Sequence, residues 1–439
     1  MKKWICLVLL GCASVQADML DALKAYEQKD YTVAAQQFAE LLPLGNEMAA
    51  FNLGAMAYQG EGQQQDLPAA LAYFMFAAHF NHAQAASLLT KVKADASPQQ
   101  LAQAEATFKQ LQQAVLVKDV ALELEFAQEK PNPIRRVAPE YPKEAARAGL
   151  FGYVKLRFLV DEAGKVAAID TLDAYPEKVF NKSAIRAVKR WQYQATGSKH
   201  LMDVRLDYSL NNGDIKVSML EKITQENKLW HYAVAGVPQY QFVLGTFLSL
   251  LEVQSHNGFW YDPDLPLSAV PDFTIYKNRP HLTADLEGFW GYAVVRVDKD
   301  GIITEQLRTS FEPKNQLASL IGQKLEGQVE AEVYRIYKHS TISRSKLSIV
   351  PSIPTSRSMS GQFWWEQAAK NGNLDAQRVM AAYDRQWEQY LLSQKDAEVM
   401  AWAGTRLMLE GQREQGLALL EQAIAKNYAP AKEMKQQFM

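Results

Sequence analysis

One nine-residue run constrains this chain more than any other. Gly152-Tyr153-Val154-Lys155-Leu156-Arg157-Phe158-Leu159-Val160 alternates its apolar side chains at a period of two, and only an extended strand sends every second side chain to one face. Asp161-Glu162-Ala163-Gly164 reads as a turn, and Lys165 to Leu172 as the return strand of a hairpin. Phe180, Ala184, Ala187, Val188 and Trp191 then recur at spacings of three and four, the signature of one helix face. Met202 to Leu210 alternates again as a third strand. Upstream, Lys143 to Ala148 predicts a short helix closed by Gly149. Helix, hairpin, helix and strand within residues 130–211 predict a small α+β sandwich with its helices on one sheet face.

On both sides of this segment the period changes to that of helices. Between residues 18 and 115, Leu20, Leu23 and Tyr26, then Ala34, Ala35, Phe38, Leu41 and Leu42, fall at helical spacing. Ala49 to Tyr58 carries small residues where a neighbouring helix must approach closely, and Gly60-Glu61-Gly62 breaks it. Asp66-Leu67-Pro68 opens the next helix with Asp66 as N-cap. The order of the Leu-Gly pair, Tyr58, the Gly-Glu-Gly turn and the closing Ala77-Ala78 resembles a Sel-one-like repeat, a relative of the tetratricopeptide repeat. Such helix pairs stack into solenoids whose faces bind other proteins. Trp364 to Gln377, Ala397 to Gly411 and Gly416 to Ala431 repeat the pattern over 360–439, and Trp230 to Gly245 echoes it within 220–255. In these stripes the aromatic and alanine residues read as inter-helix core.

Residues 256–350 read as β-rich. Gly291-Tyr292 through Gly301-Ile302-Ile303 looks like the hairpin from Gly152-Tyr153 to Gly164-Lys165-Val166, so this stretch reads either as a degenerate second copy of the first β fold or as an unrelated hairpin. Val329 to Tyr337 and Leu347 to Val350 add strands. The fold class is therefore multidomain α+β: helical-repeat, solenoid-like segments flank a small α+β domain, with a second β-containing segment.

Residues 130–211 closely resemble the C-terminal domain of the TonB family. The resemblance rests on Pro139, Tyr141 and Pro142, then Ala145 and Gly149, then Gly152, Val154, Leu156, Phe158 and Val160, the hairpin glycine Gly164, and Trp191 with Tyr193. It covers about 80 residues; the proline that usually follows the tryptophan helix is replaced by Gln194-Ala195-Thr196. The resemblance implies a non-enzymatic role in TonB-dependent transport and energy transduction. It implies gripping an extended peptide of an outer-membrane receptor, added as a strand to the sheet edge, where unpaired N–H and C=O groups await partners. The closing strand is the natural edge, so Val204, Arg205, Leu206, Asp207, Tyr208, Ser209 and Leu210 are the candidate peptide-binding residues. Arg205 and Asp207 share one face as side-chain contacts, and Leu206→Pro is expected to remove an edge N–H. Tyr141 and Pro142 read as packing and turn residues, Trp191 as core. The alternative is a structural envelope adaptor whose repeats bind partners, the TonB-like domain being only a fold.

The N-terminus carries an export pattern: Lys2 and Lys3, the apolar run Trp4 to Ala13, and Val15-Gln16-Ala17 before Asp18. Residues 1–17 read as a cleaved signal peptide, which predicts a periplasmic protein; the alternative is lipoprotein acylation at Cys12, after Leu9-Leu10-Gly11. Cys6 and Cys12 are the sole cysteines of the 439 residues, which excludes a disulfide scaffold, a zinc ribbon or a cysteine nucleophile in the body. With 47 basic against 49 acidic residues the chain has no global basic surface for nucleic acid. His79 and His82 lack a third ligand, so they form no metal site. Asp298-Lys299-Asp300-Gly301 lacks the rest of a calcium loop, and Asp262 and Asp264 flank a proline with no catalytic partner nearby. No nucleotide-binding or nucleophile-elbow motif is present. No cofactor and no small-molecule substrate is expected; the partners expected are receptor peptides or other envelope proteins.

Overall fold

The computed structural model describes residues 17–118, 131–209, 217–254, 258–262, 264–268, 270–276, 282–285, 292–309, 320–325, 332–338 and 346–439. The export pattern with both cysteines, Leu210, Gly291 and residues 343–345 lie outside the described residues. The chain divides into two compact units: residues 1–130, 235–239 and 366–439 form one, residues 131–234 and 240–365 the other.

The first unit opens with α1 (Met19–Glu27), α2 (Tyr31–Leu41), α3 (Glu47–Gln59), α4 (Leu67–His79), α5 (Ala85–Ala94) and α6 (Pro98–Gln113). Short polar residues start these helices because an N-cap oxygen satisfies an otherwise orphaned N–H. Asp18 accepts from Leu20 at 2.7 Å, Asn46 from Ala49 at 2.8 Å and Asp66 from Ala69 at 2.9 Å. Ser97 and Gln100 cap each other reciprocally. Gly54 explains the small residues of α3: a Cβ there would lie 2.7 Å from the Phe74 ring, so only glycine lets α4 pack this closely. Leu71, Phe74, Val92 and Ala104 meet in the core between α3, α4, α5 and α6.

The second unit begins with β1 (Pro133–Arg135), α7 (Lys143–Arg147), β2 (Gly152–Val160), β3 (Val166–Tyr175), α8 (Asn181–Val188), β4 (Gln192–Tyr193) and β5 (His200–Tyr208). β2 is central in an antiparallel sheet of order β3-β2-β5, and β1 pairs with β4. Three helices follow, α9 (Val217–Glu226), α10 (Leu229–Val234) and α11 (Pro238–Gln254). A second sheet is then formed by β6 (Gly258–Asp262), β7 (Leu282–Asp285), β8 (Tyr292–Val297), β9 (Ile303–Thr309), β10 (Val333–Lys338) and β11 (Lys346–Ser356). Its order is β6-β11-β10-β8-β9, with β7 also on β11; only the β6–β11 pairing is parallel.

The chain closes with α12 (Gly361–Lys370), α13 (Leu374–Ala381), α14 (Arg385–Ser393), α15 (Ala397–Leu409), α16 (Arg413–Ala425) and α17 (Pro430–Gln436). Apart from the first part of α12, these helices join α1–α6 in one body rather than forming a separate segment. The buried Asn46 amide donates to the Lys370 carbonyl at 2.8 Å and to Asn371 Oδ1 at 2.7 Å, and Met19 N–H donates to the Asn371 carbonyl at 3.0 Å. His79 contacts Gln112 at 3.1 Å and His82 stacks on Phe51 at 4.1 Å.

Candidate strand-binding edge

The three-stranded sheet is held from both sides. On one face Val154, Leu156, Phe158 and Val160 of β2 pack with Phe180, Ala184 and Val188 of α8 and with Trp191. Trp191 Nε1 donates to the Val137 carbonyl at 2.8 Å, which ties the Pro139–Pro142 entry to this core. Tyr141 donates to the Leu150 carbonyl and sets its ring edge-on to Phe180 and Tyr208. Pro142 stands immediately before α7, and Gly149 ends that helix at φ +64°. Two glycines are demanded by close backbone approach. A Cβ on Gly152 would lie 1.7 Å from the Tyr175 carbonyl oxygen; one on Gly164, at φ +80°, would lie 2.1 Å from that of Tyr193.

The other face of the sheet is covered by α11, with α9 and α10 in the same apolar core as Tyr153, Phe247, Leu248 and Leu251. Sequence reasoning grouped residues 220–255 with the repeats; in the structure α9, α10 and α11 from Tyr240 on share an apolar core with Tyr153 on this face of the sheet. Helix α11 is apolar nearly all round, as a helix buried between layers must be. Polar groups caught under it pair with one another. Arg205 donates through Nε to Asp207 Oδ1 at 2.8 Å and through Nη1 to Ser249 Oγ at 3.0 Å, with its guanidinium 4.2 Å above the Tyr153 ring. Lys155 Nζ stands 4.3 Å above the Trp365 ring, and Tyr153 donates its hydroxyl to Asp173. Glu252 accepts from the Tyr261 hydroxyl and, at 3.1 Å, from the Gly361 N–H.

Burial dominates the titration of these groups, since low-dielectric surroundings penalise the charged form. It raises the Asp173 and Glu252 carboxyls, lowers the Lys155 ammonium, and pushes the Tyr153 hydroxyl well up, with the Asp173 charge adding to that rise. The cluster is a set of structural ion pairs and hydrogen bonds.

Among the described residues β5 lies at one edge of the sheet, paired to β2. Its register runs without a break from Gly152 opposite Tyr208 to Val160 opposite His200. The hairpin is closed by Asp161 N–H donating to the Lys165 carbonyl, so residue 161 points its backbone groups at β3. Alternation then turns those of 160, 158, 156, 154 and 152 toward β5. On β5, Val204, Leu206 and Tyr208 therefore bond inward to β2, while Asp203, Arg205 and Asp207 present their N–H and C=O groups outward. This corrects the role expected of the Leu206 N–H, which belongs to the ladder.

Side chains divide the other way. Val204 and Leu206 pack against the α8-side core, and Tyr208 stacks on Phe180 at 4.3 Å. Arg205 and Asp207, expected as peptide contacts, are bound to each other and to α11; what they offer outward is backbone. Ser209 follows the strand's end, and Leu210 lies outside the described residues.

Residues 137–211 match the family model of the Gram-negative bacterial TonB protein C-terminal. Among curated relatives, Protein TonB of Salmonella typhimurium is 31% identical over 81 residues, which is 18% of this chain and 34% of that protein. Protein TonB of Escherichia coli K12 is 33% identical over 64 residues, 15% of this chain and 27% of that protein. The chain thus spans about a third of the curated relatives it matches. The solution NMR structure of the Pseudomonas aeruginosa TonB C-terminal domain is 22% identical, with a TM-score of 0.18, covering 20% of this chain and 93% of that one. Among the described residues no helix is long and apolar enough to cross a membrane, and no group of three or more His, Cys, Asp and Glu side chains is placed to hold a metal.

What sequence reasoning missed was the covered face. The helices were expected on one sheet face, yet on the other Tyr153 is fully buried and Asp173 is 7% exposed. The available signal was α11 itself, whose run from Phe242 to Leu251 leaves no polar stripe wide enough for a surface helix.

Proposed function

We propose that the TonB-like domain binds an extended peptide, from an outer-membrane receptor or another envelope protein, by strand addition to β5. The observation that carries this reading is the position of β5, an edge strand whose faces are both packed but whose outward backbone groups at 205 and 207 have, among the described residues, no strand beside them in the sheet order. An edge held rigid on both faces binds with little ordering cost, and main-chain hydrogen bonds supply affinity with little sequence demand. The role is non-enzymatic and belongs to the TonB-dependent transport system of the periplasm, where the export pattern would send the chain. The helical unit is the scaffold, its helix pairs offering faces to envelope proteins.

The inward engagement of Arg205 and Asp207 favours a second reading, in which the domain is a fold within a structural adaptor and the helices alone bind partners. The two readings separate in one experiment. The full chain is titrated with synthetic peptides covering the periplasm-facing segments of the cell's outer-membrane receptors. Strand addition predicts that Asp207→Pro, which deletes an outward N–H, weakens the best binder about tenfold or more. Asp207→Ala, which keeps that N–H, stays close to the parent. Equal binding by folded Asp207→Pro, or no binder in the panel, overturns the strand-addition reading.

A further inference from the structure

The hairpin β8–β9 and the strand that follows it repeat several bonds of the TonB-like domain. In the first hairpin Asp161 N–H donates to the Lys165 carbonyl at 2.8 Å, and in the second Asp298 N–H donates to Ile302 at 2.9 Å. Asp161 Oδ1 accepts from the N–H groups of Ala163 and Lys165, and Asp298 Oδ1 from those of Asp300 and Ile302. Gly164 and Gly301 hold the left-handed position at φ +80° and +83°. Any hairpin with this turn type shares these features, so the decisive matches are the long-range ones.

After the first hairpin the chain returns to the turn, where Tyr193 N–H donates to the Gly164 carbonyl at 2.8 Å and Gln192 bridges to Lys165. After the second, Leu325 N–H donates to the Gly301 carbonyl at 2.8 Å and Lys324 bridges to Ile302. The next strand then joins the other side of the first strand in the same register. Val160 faces Val166 on one side and His200 on the other. Val297 faces Ile303 on one side and bonds to Glu332 on the other. Even the buried positions correspond: Leu156, Phe158, Val160, Val188 and Tyr193 match Ala293, Val295, Val297, Leu320 and Leu325, all buried. The strand order β3-β2-β5 is repeated as β9-β8-β10.

The two copies differ at the edge that matters for binding. Among the described residues the outer edge of β5 has no strand beside it in its sheet. The equivalent edge of β10 carries β11, antiparallel, from Tyr334 opposite Pro351 to Lys338 opposite Leu347. β11 is itself clamped from its far side by β7 and β6. We infer that β8, β9 and β10 are a second copy of the strand-accepting sheet whose edge is permanently filled by the chain's own β11, so that of the two equivalent edges among the described residues β5 is the one left open and takes one extended segment. This rests on the strand-addition reading for its second half; the filled edge stands on the register alone.

The same alternation that turns Asp203, Arg205 and Asp207 outward on β5 turns Val333, Arg335 and Tyr337 toward β11. Residue-resolved hydrogen exchange on the full chain tests both halves. Without peptide, the amides of Arg335 and Tyr337 are expected to exchange about a hundredfold more slowly than those of Arg205 and Asp207. Comparable rates on the two strands would overturn the filled edge whatever the peptides do. With a saturating peptide from the receptor panel, the amides of 205 and 207 slow while those of β10 are unchanged, and calorimetry gives one site per chain. Two sites, or new protection on β10, sinks the inference. A panel with no binder refutes strand addition and leaves the free-chain comparison to decide the second copy.

Discussion

Replacing Gly164 by alanine isolates what the hairpin glycine does. The residue sits at φ +80°, and its added Cβ would stand 2.1 Å from the Tyr193 carbonyl oxygen. Left-handed backbone costs a residue with a Cβ roughly 1–2 kcal/mol. A carbon–oxygen contact is comfortable only from ~3.3 Å, so β4 must retreat by about 1 Å. That retreat strains the bond from Tyr193 N–H to the Gly164 carbonyl, a further ~0.5–1.5 kcal/mol, and more if either group is left buried and unpaired. The sum is roughly 3 kcal/mol, a large share of a typical 5–15 kcal/mol net stability. Gly149→Ala is the matched control. It has nearly the same backbone, φ +64°, but nothing within 4 Å of its Cβ, so only the ~1–2 kcal/mol conformational part applies. The assay is a urea series read by exchange of the β2 amides, which reports this domain rather than the whole chain. Equal losses in the two variants would refute the claim that the approach of β4, and not the backbone angle, dictates glycine at 164.

The buried charges give pH-dependent expectations. Burial raises the Glu252 carboxyl above its unfolded value, so the folded chain binds the extra proton and gains stability as pH falls through the interval from the raised value to the ordinary one. Glu252→Gln should flatten that part of a melting-temperature profile; an unchanged slope rejects it. Lys155→Met removes the cation that steadies Asp173, whose carboxyl burial already raises. The variant should lose more stability at high pH than at low pH, where protonation relieves the carboxylate, and an equal loss across the range would mean that packing on Trp365 dominates. Asp207→Pro and the exchange contrast between β5 and β10 complete the set.

Much of the TonB-like domain was legible because its signals are local. The period-two run of β2, the turn glycine and the face from Phe180 to Trp191 each announce an element without reference to the rest of the chain. The edge position of the last strand also followed, but not which of its N–H groups point outward, because that depends on the hairpin bond from Asp161 to Lys165. The covered face was hidden for a related reason: Lys155, Arg205 and Asp207 look like solvated charges until α11, from far along the chain, is laid over them. The second copy was half visible. Its hairpin resembled the first, but the return to the turn rests on Lys324 and Leu325, which share no residue type with Gln192 and Tyr193.

The buried amide of Asn46 finds its partners 324 and 325 residues later in the chain. During synthesis, α1–α6 therefore emerge before the acceptors of the Asn46 amide N–H groups, at residues 370 and 371, exist. The helical body cannot finish until almost the last of the chain has arrived, whereas the hairpin-built domains between have their partners close at hand. Truncation near the C-terminus should accordingly be felt first at the opposite end, as an N-terminal body left open to proteases and chaperones while the sheets behind it are already formed.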